Sequence, residues 1–358
     1  MSAIFGHLNI SDTDRVFAST AGQQMIFTAA QDYLNRVNAD IAAAMAIFVE
    51  RTTSDFKLRY KLPGGGHLQR RGPDGRYGAV KAYGSWDVAF PLEDFGAQMA
   101  ENDVDRAYMT VAELERHIST VVAQSVNTKR FEMLKALLNN GADTFVDPLQ
   151  GSLTIQPLAN GDSVTYPPVL GSESEAIEDH YLESGYAASA ISDSNNPYIT
   201  IRDELEEHFG APTGGSNIAV FINNAQVSKT EDLSDFDDVP DRYIQPGQDT
   251  DVPTSVPGGM PGRVVGRTNG VWVVEWRWIP SAYMAGVHMD APKPLVQRID
   301  PADTNLGQGL QLVATDTSFP FTGSFWRDRF GLGCGNRLNG VVMELGVGGT
   351  YSIPSGYS

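Results

Sequence analysis

Cysteine is almost absent from this sequence, which has a single one, Cys334, in 358 residues. One cysteine excludes an internal disulfide framework and a zinc site built from several cysteines. Long apolar runs are missing as well, since the longest, residues 41–49, is far shorter than the about 20 residues that a membrane-spanning helix needs. The first residues show neither a basic region nor a long apolar stretch, so we expect no signal peptide. Composition therefore predicts a soluble protein without membrane contact.

Basic residues are also scarce, because 26 lysines and arginines face 44 aspartates and glutamates, for a formal charge of -18. This balance argues against a protein whose main task is to grip DNA phosphates. The charge is unevenly spread: residues 51–90 hold eight basic and three acidic side chains, whereas residues 172–252 hold three basic and eighteen acidic ones. Such segments can attract each other between copies of the chain, or they can be solvated faces without a partner.

Two segments have the apolar periodicity of amphipathic helices. The first follows a capping box at residues 20–23 and should end near Glu50. The second follows a capping box at residues 110–113 and should stop before Gly141. Over residues 110–140 it would be about 45 Å long at a rise of 1.5 Å per residue. We interpret this second helix as a backbone element of the fold.

The basic segment between these helices has the pattern of an extended hairpin. Apolar and charged residues alternate in 56–60 and again in 80–90, and turn signals lie at 63–66 and 72–75. An isolated two-stranded arm is marginally stable in water, so something must cover it. A neighbouring copy of the protein is the natural cover, and a flexible substrate loop is the competing interpretation.

Beyond Gly141 the sequence predicts short strands and helices of an α+β region. Residues 152–155 and 163–166 suggest a hairpin, residues 199–209 an acidic helix and residues 217–223 an apolar strand. A later strand places four residues on one face: Trp272, Val274, Trp276 and Trp278. Packed, this row is a wall of the core; exposed, it could stack on sugar rings.

Motifs of known chemistry are absent. The sequence has no phosphate-binding loop, dinucleotide fingerprint, nucleophile elbow or paired-histidine zinc motif. Six histidines are scattered singly, and His180 and His208 lie on acidic stretches, which favours solvated surface over a transition-metal site. The acidic loop around residues 235–241 lacks the calcium-loop pattern. We therefore predict no enzyme activity, no catalytic residue, no metal and no cofactor.

The order of elements, and above all the last third of the chain, resembles a known family. An N-terminal arm and helix, a basic hairpin, one long helix, small sheets and returning strands follow one another as they do in major capsid proteins of tailed viruses. These proteins have the Hong Kong 97-type (HK97-like) fold. The stretches that carry the resemblance are Gly262-Arg263-Val264-Val265-Gly266, Val271-Trp272-Val273, Trp278-Ile279-Pro280, residues 290–298, Leu310-Gln311-Leu312-Val313-Ala314, Trp326-Arg327-Asp328-Arg329-Phe330-Gly331-Leu332-Gly333 and Asn336-Arg337-Leu338-Asn339-Gly340.

This resemblance implies an α+β HK97-like capsid fold with five segments. It has an N-terminal arm, an extended β-hairpin called the E-loop, a long spine helix with the sheet of the peripheral (P) domain, and an α+β axial (A) domain. The expected boundaries are 1–50 for the arm and first helix, 51–93 for the E-loop, 94–189 for the P-domain with spine helix 110–140 and a β insertion, 190–290 for the A-domain, and 291–358 for the return strands and C-terminus.

The resemblance also implies a function. The chain would assemble with itself, as hexamers and pentamers, into an icosahedral bacteriophage shell that encloses double-stranded DNA without reading its sequence. It would be assembled in the host cytoplasm and belong to the virion, with a portal, a decoration protein and a separate scaffolding protein as further candidate partners. The alternatives are another virion component, a cargo-enclosing shell of the same fold, and an acidic carbohydrate-active protein.

Candidate contact residues follow from charge. The arm would dock through basic side chains, with a tryptophan as its apolar anchor, on an acidic surface of the next subunit. The arm residues are Arg59, Arg70, Arg71, Arg76 and Trp86, and the candidate acidic surface consists of Glu204, Glu206, Glu207, Asp237 and Asp238.

Overall fold

The computed structural model describes residues 23–61, 72–73, 75, 85–98, 111–166, 176–209, 217–238, 262–301, 308–313 and 325–358. Helices and strands both build these parts, which confirms the predicted α+β class. The helices are α1 (Gln23–Met45), α2 (Val111–Leu138), α3 (Pro197–Phe209) and α4 (Asn224–Glu231). The strands are β1 (Val49–Thr53), β2 (Lys57–Lys61), β3 (Ser85–Ala89), β4 (Glu93–Gln98), β5 (Asp143–Asp147), β6 (Gly151–Ile155), β7 (Tyr181–Glu183), β8 (Ile218–Ile222), β9 (Phe236–Asp238), β10 (Arg263–Thr268), β11 (Val271–Glu275), β12 (Tyr283–His288), β13 (Leu295–Ile299), β14 (Gln311–Val313), β15 (Phe325–Cys334) and β16 (Val341–Glu344).

The chain divides into two compact units, each built from three separate stretches. The first unit consists of Met1–Ile41, Asp94–Lys129 and Ala302–Arg329. The second consists of Ala42–Glu93, Arg130–Pro301 and Phe330–Ser358. Because the chain leaves and re-enters each unit, neither could be recognised as one continuous run of sequence.

The first unit is held by apolar packing and one buried ion pair. Its core joins residues of α1, α2 and the segment around β14 and β15, and the buried members are Ala30, Leu34, Ile118, Val122, Leu310 and Trp326. The ion pair joins α2 to β15: the Lys129 ammonium lies 2.9 Å from the Asp328 carboxylate, and both side chains are almost fully buried. Asp328 also accepts a hydrogen bond from the Ser125 hydroxyl, so its charge is compensated from two sides.

The second unit is organised around a seven-stranded sheet with the order β7-β16-β12-β8-β11-β10-β9. Strand β8 is central, and its five residues are all buried. It pairs in parallel with β11 and antiparallel with β12. A strand that is apolar on both faces needs cover on both, which explains why residues 218–222 read as a continuous apolar run rather than an alternating one.

Helix α3 packs on this sheet through Tyr198, Ile201 and Leu205, which are all fully buried. The close approach depends on Gly286 in β12, where an added Cβ would collide with the side chain of Ile201. Aromatic rings gather elsewhere on the sheet, and the Phe48 ring lies 4.8 Å from that of Phe221. The apolar spacing on α3 is therefore the reason that this acidic helix belongs to the core.

A buried hydrogen-bond chain fixes α3 to α4 and gives a first prediction. The Thr230 hydroxyl donates its only proton to the Gln226 carbonyl. Thr230 Oγ1 therefore acts as the acceptor toward Tyr198, whose hydroxyl donates to it at 2.6 Å. We expect Tyr198→Phe to lower the free energy of unfolding by about 1 kcal/mol, since it removes one buried hydrogen bond with little change in volume. Urea unfolding checks this, with Tyr33→Phe on an exposed tyrosine as the neutral control. Equal losses in the two variants would contradict it.

Several predicted elements are confirmed and two are corrected. The helix expected over 110–140 is α2, the acidic helix is α3 and the apolar strand is β8. The first helix ends at Met45 instead of near Glu50, because residues 49–53 pair in parallel with β13. Strand β6 pairs with β5 rather than with residues 163–166. The Asp147 side chain accepts hydrogen bonds from the backbone N–H groups of Leu149 and Gln150. These bonds close the turn between β5 and β6, which the sequence pattern did not reveal.

Among the described residues, no helix has the length and apolar content needed to cross a membrane.

Candidate functional site

The predicted two-stranded arm is confirmed where the structure describes it. Strands β2 and β3 pair antiparallel from Lys57 opposite Ala89 to Lys61 opposite Ser85. The connecting stretch lies outside the described residues apart from positions 72, 73 and 75. The three candidate contact residues that fall in it are Arg70, Arg71 and Arg76.

Basic side chains on the arm are partly matched within the arm itself. The Arg59 guanidinium donates to Asp87 at 2.8 Å, and the Lys57 ammonium lies 2.9 Å from the same carboxylate. The hydrogen bonds from Arg59 and Lys57 hold the pKa of Asp87 well below its usual range. Because two cations share one carboxylate, the described part of the arm keeps a net positive charge, and the Arg59 side chain is mostly exposed.

Trp86 has a different environment from the one predicted. Its side chain is only 9 % exposed, and its ring lies 5.5 Å from that of Tyr60 and 5.4 Å from that of Tyr166. An indole that is buried in its own chain offers little area to a neighbour. Trp86 fixes the arm to the body of its own chain, and its role as the apolar anchor on a neighbouring subunit stays a prediction.

A buried arginine secures the base of the arm. Arg298 donates one hydrogen bond to the Phe90 carbonyl at 2.9 Å and another to Asp147 Oδ2 at 2.8 Å. The Phe90 N–H in turn donates to the Phe56 carbonyl at 3.0 Å. Arg298 of β13 thus joins the base of the two-stranded arm to the β5–β6 hairpin.

Two glycines of β15 let the base of the arm cross that strand. An added Cβ at Gly331 would lie 2.0 Å from the carbonyl oxygen of Pro91, and one at Gly333 would lie 2.8 Å from the Phe90 ring. Only a residue without a side chain leaves room for this backbone approach. The arm therefore leaves the body from a close-packed base.

The structure distributes the candidate acidic residues over two elements. Glu204, Glu206 and Glu207 lie on α3, whereas Asp237 and Asp238 lie exposed on β9, at an edge of the seven-stranded sheet. Glu206 lies 3.9 Å from the Arg202 guanidinium. Glu204 and Glu207 approach two histidines instead.

The prediction that these two histidines lie on solvated surface is wrong. His180 is fully buried, and the His208 side chain is 4 % exposed. The two rings come together, with Nε2 atoms 3.3 Å apart. The signal that could have found them is spacing: positions 178 and 180 share one face of an extended segment, and positions 204, 207 and 208 share one face of a helix.

Comparison with known proteins rests on structure. No protein-family model and no curated protein matches the sequence. Among solved structures, the chain is similar to one from Mycobacterium phage Patience, with a TM-score of 0.69, 17% identity, and 100% of this chain and 99% of that chain covered. It is also similar to the mature capsid of bacteriophage PhiM1, with a TM-score of 0.47, 12% identity and coverage of 82% and 85%.

This chain has the HK97-like fold. The sequence resemblance is thereby confirmed at the level of architecture, over the full length of the chain.

In this HK97-like chain the tryptophan row is not a platform for sugars. Strand β11 ends at Glu275, so the row does not continue as one strand face. Trp276 is buried at 4 % exposure, the Arg267 guanidinium lies over the half-buried Trp272, and Arg130 lies over the exposed Trp278. Three tryptophans in three environments do not present one stacking surface, so the row gives no support to the carbohydrate-binding interpretation.

The single cysteine of this HK97-like chain is inaccessible. Cys334 ends β15, where it pairs with Leu295 of β13. Its side chain is buried, and burial raises the pKa of the thiol to about 12. A neutral buried thiol is chemically inert, so Cys334 acts as a small apolar residue of the sheet.

Proposed function

We propose that this chain is a major capsid protein, many copies of which assemble into the icosahedral shell that encloses viral double-stranded DNA. The observation that carries the proposal is the end-to-end match of its fold to a chain from a phage, with 100% of one chain and 99% of the other covered. The role is structural rather than catalytic.

The parts of the chain receive roles from this proposal. Residues 51–93 are the E-loop, which lies over a neighbouring subunit, and α2 within 94–189 is the spine helix of the P-domain. Residues 190–290 form the A-domain near the centre of each capsomer, and residues 291–358 return to the P-domain, while 1–50 form the N-terminal arm and first helix. The firmly held base of the E-loop supports this division, because an arm that grips a neighbour must itself be anchored.

Assembly then follows from charge and multiplicity. The basic E-loop of one subunit docks on an acidic surface of the next, for which the exposed Asp237 and Asp238 are the best-placed candidates and Glu206 the next. Glu204 and Glu207 contribute less, since they face the histidines of their own chain. Each contact is weak, but a closed shell repeats it many times. Salt screens exposed charges beyond about 8–10 Å, so assembly should weaken as ionic strength rises.

The partners of the proposed shell protein are first of all its own copies, in hexamers and pentamers. A portal, a decoration protein and a separate scaffolding protein are further proposed partners, and assembly takes place in the host cytoplasm before the shell becomes part of the virion. The excess of acidic residues fits a shell that must hold DNA without binding it tightly.

Charge reversal on the arm tests this function. In the triple variant Arg70→Glu, Arg71→Glu and Arg76→Glu, we expect a folded subunit by circular dichroism but at least about tenfold fewer closed particles by electron microscopy, since like charges now face each other at every contact. The matched control reverses three basic residues elsewhere and should form particles normally: the exposed Arg36 and Arg116 and the partly exposed Lys229.

The outcomes separate two claims. Closed particles from the wild-type chain support the shell, whereas tubes or a single small species would contradict it. Normal shells from the arm variant, or equal losses in the control, would contradict docking through the arm while leaving the shell itself in place.

A further inference from the structure

Two segments that are distant in sequence bring four metal-ligating side chains together. Glu178 and His180 lie on one face of the extended segment that enters β7, and Glu207 and His208 lie on the last turn of α3. Ligand atoms of Glu178, Glu207 and His208 all lie within 4.8 Å of one another. His180 lies beside this group, since its Nε2 atom is 3.3 Å from that of His208.

The distances match those between ligands of one tetrahedral ion. Zinc–nitrogen bonds of about 2.0–2.1 Å in a tetrahedron place two ligand atoms about 3.3–3.4 Å apart. Here the two Nε2 atoms are 3.3 Å apart, and His208 Nε2 lies 3.5 Å from Glu207 Oε1. Both distances therefore fit neighbouring ligands of one tetrahedral ion.

The orientation of His180 is fixed from behind. Its Nδ1–H donates to the Gly340 carbonyl at 2.9 Å, which leaves the Nε2 lone pair of the neutral ring directed toward His208. Metal-ligating histidines typically make this kind of second hydrogen bond to a backbone carbonyl.

An unsatisfied carboxylate points to a missing cation. Glu178 is 8 % exposed, and within the part of the chain that the structure describes its Oε1 atom has no hydrogen-bond partner. Buried carboxylates are paired or coordinate metals.

We propose that this cluster binds one Zn²⁺ ion per chain. Its ligands are Nε2 of His180, Nε2 of His208 and one carboxylate oxygen each from Glu178 and Glu207. Imidazole and carboxylate donors without cysteine suit zinc, and four protein ligands describe a closed, structural site. The ion fastens α3 to the β7–β16 edge of the seven-stranded sheet. The resemblance of this chain to shell proteins does not imply such a metal site.

Zinc titration of the full-length chain tests the proposal. After treatment with a chelator, the protein should bind one Zn²⁺ per chain, and Co²⁺ in its place should give the visible absorption of a tetrahedral complex. Saturating zinc should raise Tm by about 5 °C, because a ligand that binds only the folded state stabilises it. In Glu207→Gln, whose carboxylate is partly exposed, zinc affinity should fall at least about tenfold.

The neighbouring Glu206→Gln is the matched control. It removes the same charge from the same helix, but its carboxylate faces Arg202, so zinc affinity should not change. A second variant, His208→Gln, should lose the tetrahedral Co²⁺ spectrum. Failure of the wild-type chain to bind stoichiometric Zn²⁺ would overturn the site, and so would equal weakening in the two glutamate variants, which would indicate nonspecific binding to acidic surface. These readouts concern the subunit alone and do not depend on assembly.

Discussion

Replacing Arg337 with methionine lowers the free energy of unfolding by about 3–5 kcal/mol. This arginine is fully buried. Its guanidinium serves four acceptors: the Pro157 carbonyl at 2.8 Å, the Leu158 carbonyl at 3.1 Å, Asn160 Oδ1 at 3.2 Å and Asp162 Oδ2 at 2.8 Å. Methionine fills part of the volume but donates no hydrogen bond. The variant therefore removes the arginine donor from all four acceptors, and each buried group left unsatisfied costs free energy.

The control for this prediction is Arg263→Met. The Arg263 side chain is 70% exposed, and its partner Glu275 keeps a second arginine, Arg277, at 3.0 Å. Because exposed ion pairs contribute little, we expect a loss below about 1 kcal/mol. The urea midpoints of both variants, followed by circular dichroism, give the comparison. Equal losses of unfolding free energy in the two variants would contradict the importance of the buried Arg337 hydrogen bonds.

Gly331→Ala should lower the free energy of unfolding by about 3 kcal/mol. The new Cβ would lie 2.0 Å from the Pro91 carbonyl oxygen, and both partners are backbone, so no side-chain rotation can relieve the clash. Either β15 or the base of the arm must shift. Since the Arg298 hydrogen bond to Phe90 is adjacent, we expect the shift to propagate to the arm and to reduce particle formation as well.

Gly348→Ala is the appropriate comparison, because a Cβ there meets nothing within 4 Å. Alanine should be neutral at that position or slightly stabilising. Thermal unfolding of the isolated subunits and particle yield by electron microscopy separate the two effects. Wild-type stability and yield from Gly331→Ala would show that the base of the arm is not close-packed in solution.

Local patterns predicted the long elements of this chain well. Helix α2 was recognisable because a capping box, sustained apolar spacing and a glycine stop all agree on residues 110–140. The antiparallel arm was recognisable because alternation and turn residues mark both of its strands. These signals lie within a few residues of the structure that they determine, so tertiary context does not override them.

Pairing between distant segments was not predictable from local pattern. Residues 46–49 continue the apolar run of α1, yet Val49 pairs with Leu295 of β13, about 250 residues away. The turn signal at residues 160–162 suggested a hairpin, but Asp162 instead binds the guanidinium of Arg337. In both cases a partner that is remote in sequence decides the conformation.

The acidic segment shows the same limit for chemistry. The excess of carboxylates in residues 172–252 is visible in composition, whereas the convergence of Glu178, His180 and His208 depends on how α3 lies against β7. Composition led to the interpretation of a solvated surface, and the fold places the two histidines inside it. Only the spacing within each segment, two residues in one and three or four in the other, was available beforehand.

The burial of Cys334 makes the molecule convenient for site-specific labelling. Because its only thiol is inert, the natural sequence already serves as an unreactive background for maleimide chemistry. A cysteine introduced at an exposed position such as Ser85, the first residue of β3, would be the sole reactive thiol in every subunit. A fluorophore attached there would report the approach of neighbouring copies in real time, with no need to remove a native residue first.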